Sequence, residues 1–158
     1  MKKKKETMSV ETFENIAKGL LTRPTWVIHS VFPTEYDVKK DENSKYCCNH
    51  HTHGLDNYGH RELCIPFPIE QKTAGVILNT MGYMIANGER TFEEGFIDGE
   101  GILANGYNLW GAVVNDDPTL YIFVPDVNNK FPYDEDCDES FKEQLKYMEY
   151  VSKDKDYV

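Results

Sequence analysis

The chain has no surplus of positive charge. Its 17 Lys and Arg are outnumbered by 27 Asp and Glu, for a formal net charge of -10 and a pI near 4.9. Such a chain repels the phosphate backbone unless its cations are segregated, so nucleic acid is excluded as the expected partner. The one basic run, Lys2 to Lys5, is followed by Glu6, Thr7, Ser9 and Glu11. The apolar stretch of about 7–15 residues that a secretory leader needs is missing there, and the run reads as a solvated tail over residues 1–8. No segment approaches the roughly 20 apolar residues of a membrane-spanning helix, so no membrane association is expected. Cysteine is scarce, with four residues, and Cys47 and Cys48 are adjacent, a pairing that seldom forms a bridge. Free thiols and a cytoplasmic location are the expectation.

Several catalytic signatures are also missing. There is no G-x-S-x-G nucleophile elbow. Gly99-Glu100-Gly101 lacks the glycine spacing of a dinucleotide loop. The acidic stretch 126–139 fails as an EF-hand, because Lys130, Phe131 and Cys137 occupy positions that calcium coordination reserves for other residues. It reads instead as a solvated turn leading into a helix.

What is present is a globular composition. Apolar residues make up 40% of the 158 and aromatics 13%, with ten Tyr and eight Phe, too many for a disordered acidic segment. This length suits one domain, expected over residues 9–152, with a flexible tail over 153–158. Val10, Phe13, Ile16, Ala17 and Leu20 recur at helical spacing behind Ser9, and Pro24 ends that pattern. Residues 26–32, WVIHSVF, have strand composition, and the His29 inside them reads as structural. Residues 34–45 are polar and read as a loop. Two segments, 46–53 and 60–67, read as a β-hairpin across a loop that begins at Gly54 and ends at Gly59. Residues 70–87 form the clearest helix, with Ala74, Ile77, Leu78, Met81, Met84 and Ile85 on one face and Asn87-Gly88 as its stop. Strands at 107–114 and 120–124 flank the turn 115–118, and a last helix is expected over 136–151 with Phe141, Leu145 and Met148 inward. The order predicts an α+β fold: an antiparallel sheet of about five strands with two or three packed helices.

The chemistry concentrates in residues 47–64, CCNHHTHGLDNYGHRELC, which hold four of five histidines and three of four cysteines. Imidazole and thiolate are ligands for the softer transition metals. If His53 lies opposite His60, strand alternation puts His51, His53, His60 and Glu62 on one face. Three histidines with an open position, or two with a glutamate, are zinc arrangements. The alternative is a metal-free polar face in which these side chains bond to one another or to water. Cys64 beside a histidine has the makings of a nucleophile pair, although a buried structural thiol suits its position better.

Taken in order, His51-Thr-His-Gly-Leu55, Gly59-His-Arg-Glu-Leu63, a proline, Ile77-Leu78-Asn79, Asn87-Gly88-Glu89, Phe92-Glu-Glu-Gly95 and Pro125-Asp126…Phe131-Pro132 resemble the motifs of the bacterial domain of unknown function 4262. The resemblance covers roughly residues 46–132 and implies a small bacterial cytosolic α+β domain, without a reaction or a catalytic residue to carry over. This chain departs from that pattern at His51, His53 and Arg61. Three functions follow from the residues. One is a non-enzymatic binding or regulatory domain, of an immunity-like kind, whose acidity covers a basic partner. The other is a metal-dependent enzyme, a hydrolase with zinc on His51, His53, His60 and Glu62. A third is a small-molecule pocket lined by Trp26, Tyr58 and Trp110.

Overall fold

A computed structural model describes residues 25–155. The helix expected near residues 10–20 and the basic tail lie outside the described residues, as do residues 156–158. Among the described residues there are three α-helices and one six-stranded sheet, mostly antiparallel. The strands are β1 (Val27–Val31), β2 (Asn49–His53), β3 (Leu63–Ile65), β4 (Gly95–Ile97), β5 (Leu109–Ala112) and β6 (Leu120–Phe123). Their spatial order is β1-β2-β3-β6-β5-β4. Two antiparallel halves meet at the centre, where β3 and β6 run parallel. The sheet therefore has one strand more than expected and one parallel pair. The extra strand, β4, is three residues long and begins at Gly95 with φ 109°, so local pattern does not announce it.

The helices are α1 (Glu35–Lys40), α2 (Gln71–Ala86) and α3 (Glu143–Lys155). No helix among the described residues is long and apolar enough to cross a membrane. Helix α2 follows its apolar spacing: Ala74, Ile77, Leu78, Met81 and Ile85 are buried. They pack on the face of the sheet that carries Leu63, Ile65, Leu109, Leu120 and Ile122. Gly82 lets α2 approach Trp26 closely, since a Cβ there would stand 2.6 Å from the indole ring. The opposite face carries Cys64, Ala112, Tyr121 and Phe123, against which Tyr147, Leu145 and Met148 of α3 pack.

Residues 34–45 are not a loop. They form α1 and a 3-10 turn (Glu42–Tyr46). Thr34 caps α1 by accepting from the Asp37 N–H at 3.1 Å, while the Asp37 carboxylate accepts from the Thr34 N–H at 2.9 Å. Glu35 and Asp37 in its first turn and Lys39 and Lys40 in its last suit the helix dipole. Helix α1 buries no residue, which is why apolar spacing gives no hint of it. At the other end of the chain, α3 starts at Glu143 and the residues before it are turns. The buried Asp126 carboxylate organises them, accepting from the N–H groups of Asn128, Lys130 and Asp138 at 2.9, 2.9 and 2.8 Å.

Candidate metal centre

The β2–β3 register is displaced by two residues from the expected one. His51 lies opposite Cys64, and His50 opposite Ile65. A slip of two conserves the faces, so His51 still shares its face with Cys64, and His50 faces the α2 side. The slip moves His60 and Glu62 off the ladder. The Glu62 carboxylate folds back into the connecting loop, where it accepts from Thr52 Oγ1 at 2.7 Å and from the N–H groups of Gly54, Leu55 and Asp56 at 2.9, 3.1 and 3.3 Å. Partial burial acts to raise its pKa, and these donors, led by the Gly54 N–H, overcome that and hold it below the usual carboxylate value. His60 donates from Nδ1 to the Arg61 carbonyl at 2.8 Å and accepts at Nε2 from the Phe92 N–H at 2.9 Å. Both residues are thus engaged in holding the loop, and His53 does not face His60.

The structure brings a different third imidazole to the pair His51 and His53. Strand β1 is antiparallel to β2, with His29 directly opposite His51 and Val27 opposite His53. Residues 29, 51 and 53 consequently project from one face. One ring nitrogen from each lies within 4.8 Å of those of the other two. The ring centroids of His29 stand 5.5 Å from His51 and 4.7 Å from His53. His29 and His53 are exposed and His51 is half-buried.

Hydrogen bonding settles the tautomer of His51. The Asn49 amide donates from Nδ2 to the Cys47 carbonyl at 3.0 Å, which leaves Oδ1 as the acceptor turned to His51 Nδ1, 2.7 Å away. His51 therefore carries its proton on Nδ1 and presents the lone pair of Nε2. A metal-binding histidine is oriented in this way, by a carbonyl-type acceptor on its other nitrogen. His51 Nε2 and His53 Nε2 are 3.2 Å apart. Two nitrogens at about 2.0–2.1 Å from a tetrahedral zinc would be separated by about 3.3–3.4 Å, so little movement is needed. Without a metal, the Nε2–H of His53 donates to His51. Burial, followed by the charges of His53 and His29, lowers the His51 pKa, which favours the neutral, ligating form.

The neighbouring groups divide by face. His50 is fully buried on the α2 side, with Ser30 Oγ 2.7 Å from Nδ1 and the Ile69 carbonyl 3.0 Å from Nε2. Cys64 lies under Tyr121 and Tyr147, and burial pushes its thiol pKa far up. Burial likewise raises Cys48 to about 11. Thiols so disposed stay protonated, which favours the structural role for Cys64. None of the four cysteines is joined in a disulfide. The aromatic set Trp26, Tyr58 and Trp110 does not line one pocket: Trp26 and Tyr58 meet edge-on at 5.9 Å on the α2 side, while Trp110 packs near Phe131 and Tyr133 on the other.

His29 is the residue that sequence spacing misses. The available signal is topological: consecutive strands pair about two-thirds of the time, so a strand with an outward histidine just before an H-x-H strand is a candidate third ligand. Comparison with family models, with curated proteins and with solved structures returns no match.

Proposed function

We propose that the chain is a transition-metal-binding protein whose centre is His29, His51 and His53, with zinc or a metal of similar preference. The observation that supports this best is the convergence of the three imidazoles on one sheet face, with one of them already locked in the ligating tautomer. Three histidine ligands leave one coordination position for water or an outside donor. At such a position zinc lowers the pKa of bound water toward 7 and polarises a carbonyl or phosphoryl oxygen, which is the chemistry of the hydrolase reading. Glu62 is not placed to serve that chemistry as a base, because its oxygens already accept four hydrogen bonds. Metal binding is therefore the primary proposal, and hydrolysis the reaction class that the open position would support. The motif resemblance implies no reaction and adds nothing to this choice. The basic-partner reading rests on net charge, and no feature of the described residues adds to it.

The test is metal content of protein purified without an affinity tag. The expected result is one zinc or related ion per chain, retained through dialysis, released below about pH 5 as the imidazoles protonate, with a metal-dependent rise in melting temperature. His29→Ala, His51→Ala and His53→Ala should each abolish retention, and His60→Ala should keep it. Protein with no stoichiometric metal and a melting temperature indifferent to zinc would end the proposal. Retention lost in His60→Ala and kept in His29→Ala would return the site to the hairpin.

A further inference from the structure

The sheet ends in two different edges. Strand β4 is three residues long, and the exposed Glu93, Glu94 and Asp98 flank it. Short length and charge are the usual protections of an edge strand. Strand β1, at the other end of the order, has neither. Its five residues, VIHSV, include no charged residue and no proline, in a chain that is 28% charged. Its register against β2 runs without a bulge from Val27 opposite His53 to Val31 opposite Asn49. Among the described residues no strand lies beyond it. Val27 is 56% exposed and Val31 42%, and Phe32, just past the strand, is 51% exposed.

The order of residues along β1 adds a symmetry. Val27, His29 and Val31 project from one face and are exposed, while Ile28 and Ser30 point to the other. Val-x-His-x-Val reads the same in both directions about His29. An antiparallel copy of the strand, turned about a twofold axis at His29, therefore sets Val27 against Val31 of the second copy and His29 against its own equivalent. Both valine pairs form at once, as an isologous contact requires. On the other face Phe32 rests against the His50 ring, with centroids 5.6 Å apart, and comes level with Trp26 of the second copy. A strand of another protein would gain the same backbone hydrogen bonds, but nothing in its recognition calls for this symmetry.

We infer that β1 pairs antiparallel with β1 of a second copy of this chain, about an axis at His29, so that the two sheets become one. The new ladder engages the outward backbone groups of β1 and covers Val27, Val31 and Phe32. The chain's charge of -10 opposes the association of like copies, but β1 contributes none of it, so the opposition is long-range and screened by salt. The axis keeps equivalent faces on the same side, and the two imidazole trios come to lie beside each other. The pairing itself uses no metal and stands or falls separately from the metal centre.

The experiment uses the full chain with a chelator present, so that its outcome is separate from metal binding. Sedimentation equilibrium should show monomer and dimer with a Kd of about 50 µM or tighter at about 0.15 M salt, tightening as salt is raised. Val27→Lys combined with Val31→Lys makes one variant, and Val27→Glu combined with Val31→Glu a second. In each, the axis sets like charges opposite each other, and self-association should weaken about tenfold or more. Mixed in equal amounts, the two variants should form a heterodimer at least as tight as the parent dimer, because every lysine then faces a glutamate. A parent chain still monomeric at about 500 µM would overturn the inference. So would a dimer that neither variant weakens, or a mixture that associates no better than its components.

Discussion

His50 and His51 are neighbours in the chain, and the alternation of β2 sends them to opposite faces of the sheet. His50 meets a hydroxyl and a carbonyl and has both ring nitrogens matched in the core. His51 meets an amide on one nitrogen and another imidazole on the other. The same side chain is thereby structural in one position and a candidate ligand in the next. Trp26 shows the same dependence on surroundings. Its Nε1–H donates to Asn79 Oδ1 at 2.9 Å, and its ring rests on the bare backbone of Gly82. Gly82→Ala places a methyl into that ring and should destabilise the fold by about 1–3 kcal/mol despite the gain in helix propensity. Urea denaturation measures this, and a variant as stable as the parent would mean that the indole yields freely.

Helix α3 is attached by a buried amide as well as by its apolar face. Gln144 Oε1 accepts from the Val124 N–H at 2.9 Å, and its Nε2 donates to the carbonyls of Val124 and Phe141, both at 3.0 Å. The side chain thus extends the hydrogen bonding just past the end of β6 and ties it to the first turn of the helix. Gln144→Ala would leave the Val124 N–H and C=O buried and unpaired, at an expected cost of about 2–4 kcal/mol. Amide exchange at Val124 should accelerate with it, and unchanged protection there would count against this role. The connection between β2 and β3 is held by a comparable device, with Glu62 in place of the glutamine. Four donors converge on its carboxylate, three of them backbone N–H groups of the loop, and it is this demand that draws Glu62 away from the face where alternation alone would leave it.

For the whole molecule the buried imidazoles set a pH dependence. Burial lowers the pKa of both His50 and His51 from the ordinary 6.5. The folded state then holds fewer protons than the unfolded chain at pH values below 6.5, and stability falls as the pH drops through that range. Glu62 and Asp126 add a second loss further down. Burial acts to raise both, but the hydrogen bonds they accept hold them below their ordinary 4.5 and 3.8, and their contribution disappears as acid protonates them. Melting temperature of metal-free protein should be level above about pH 7 and decline from about pH 6.5 downward, steepening below about pH 4.5. A melting temperature that stays level from about pH 7.5 to 5.5 would contradict the histidine part of this account.

Much of this architecture was legible in local pattern. The stripe of Ala74, Ile77, Leu78, Met81 and Ile85 specifies α2 and its buried face, and the β5–β6 hairpin follows from two apolar strands around residues 115–118. The faces taken by His50, His51 and His53 were also legible, since alternation is a property of the strand itself and survives a slip of two residues. The stripe and the alternation are encoded between residues two, three or four apart, and the hairpin by the short turn between its two strands. The tertiary structure decided the rest: the register that sets His51 against Cys64, the parallel junction of β3 and β6, and the pairing that brings His29 across to His51. Each of these joins residues 13 or more apart, as with His51 and Cys64, and turns on contacts that no local period records. Glu62 goes to the donors of the loop because burying unpaired N–H groups costs more than keeping one ladder pair, and His29 becomes a candidate ligand only because β1 adds to the sheet beside β2.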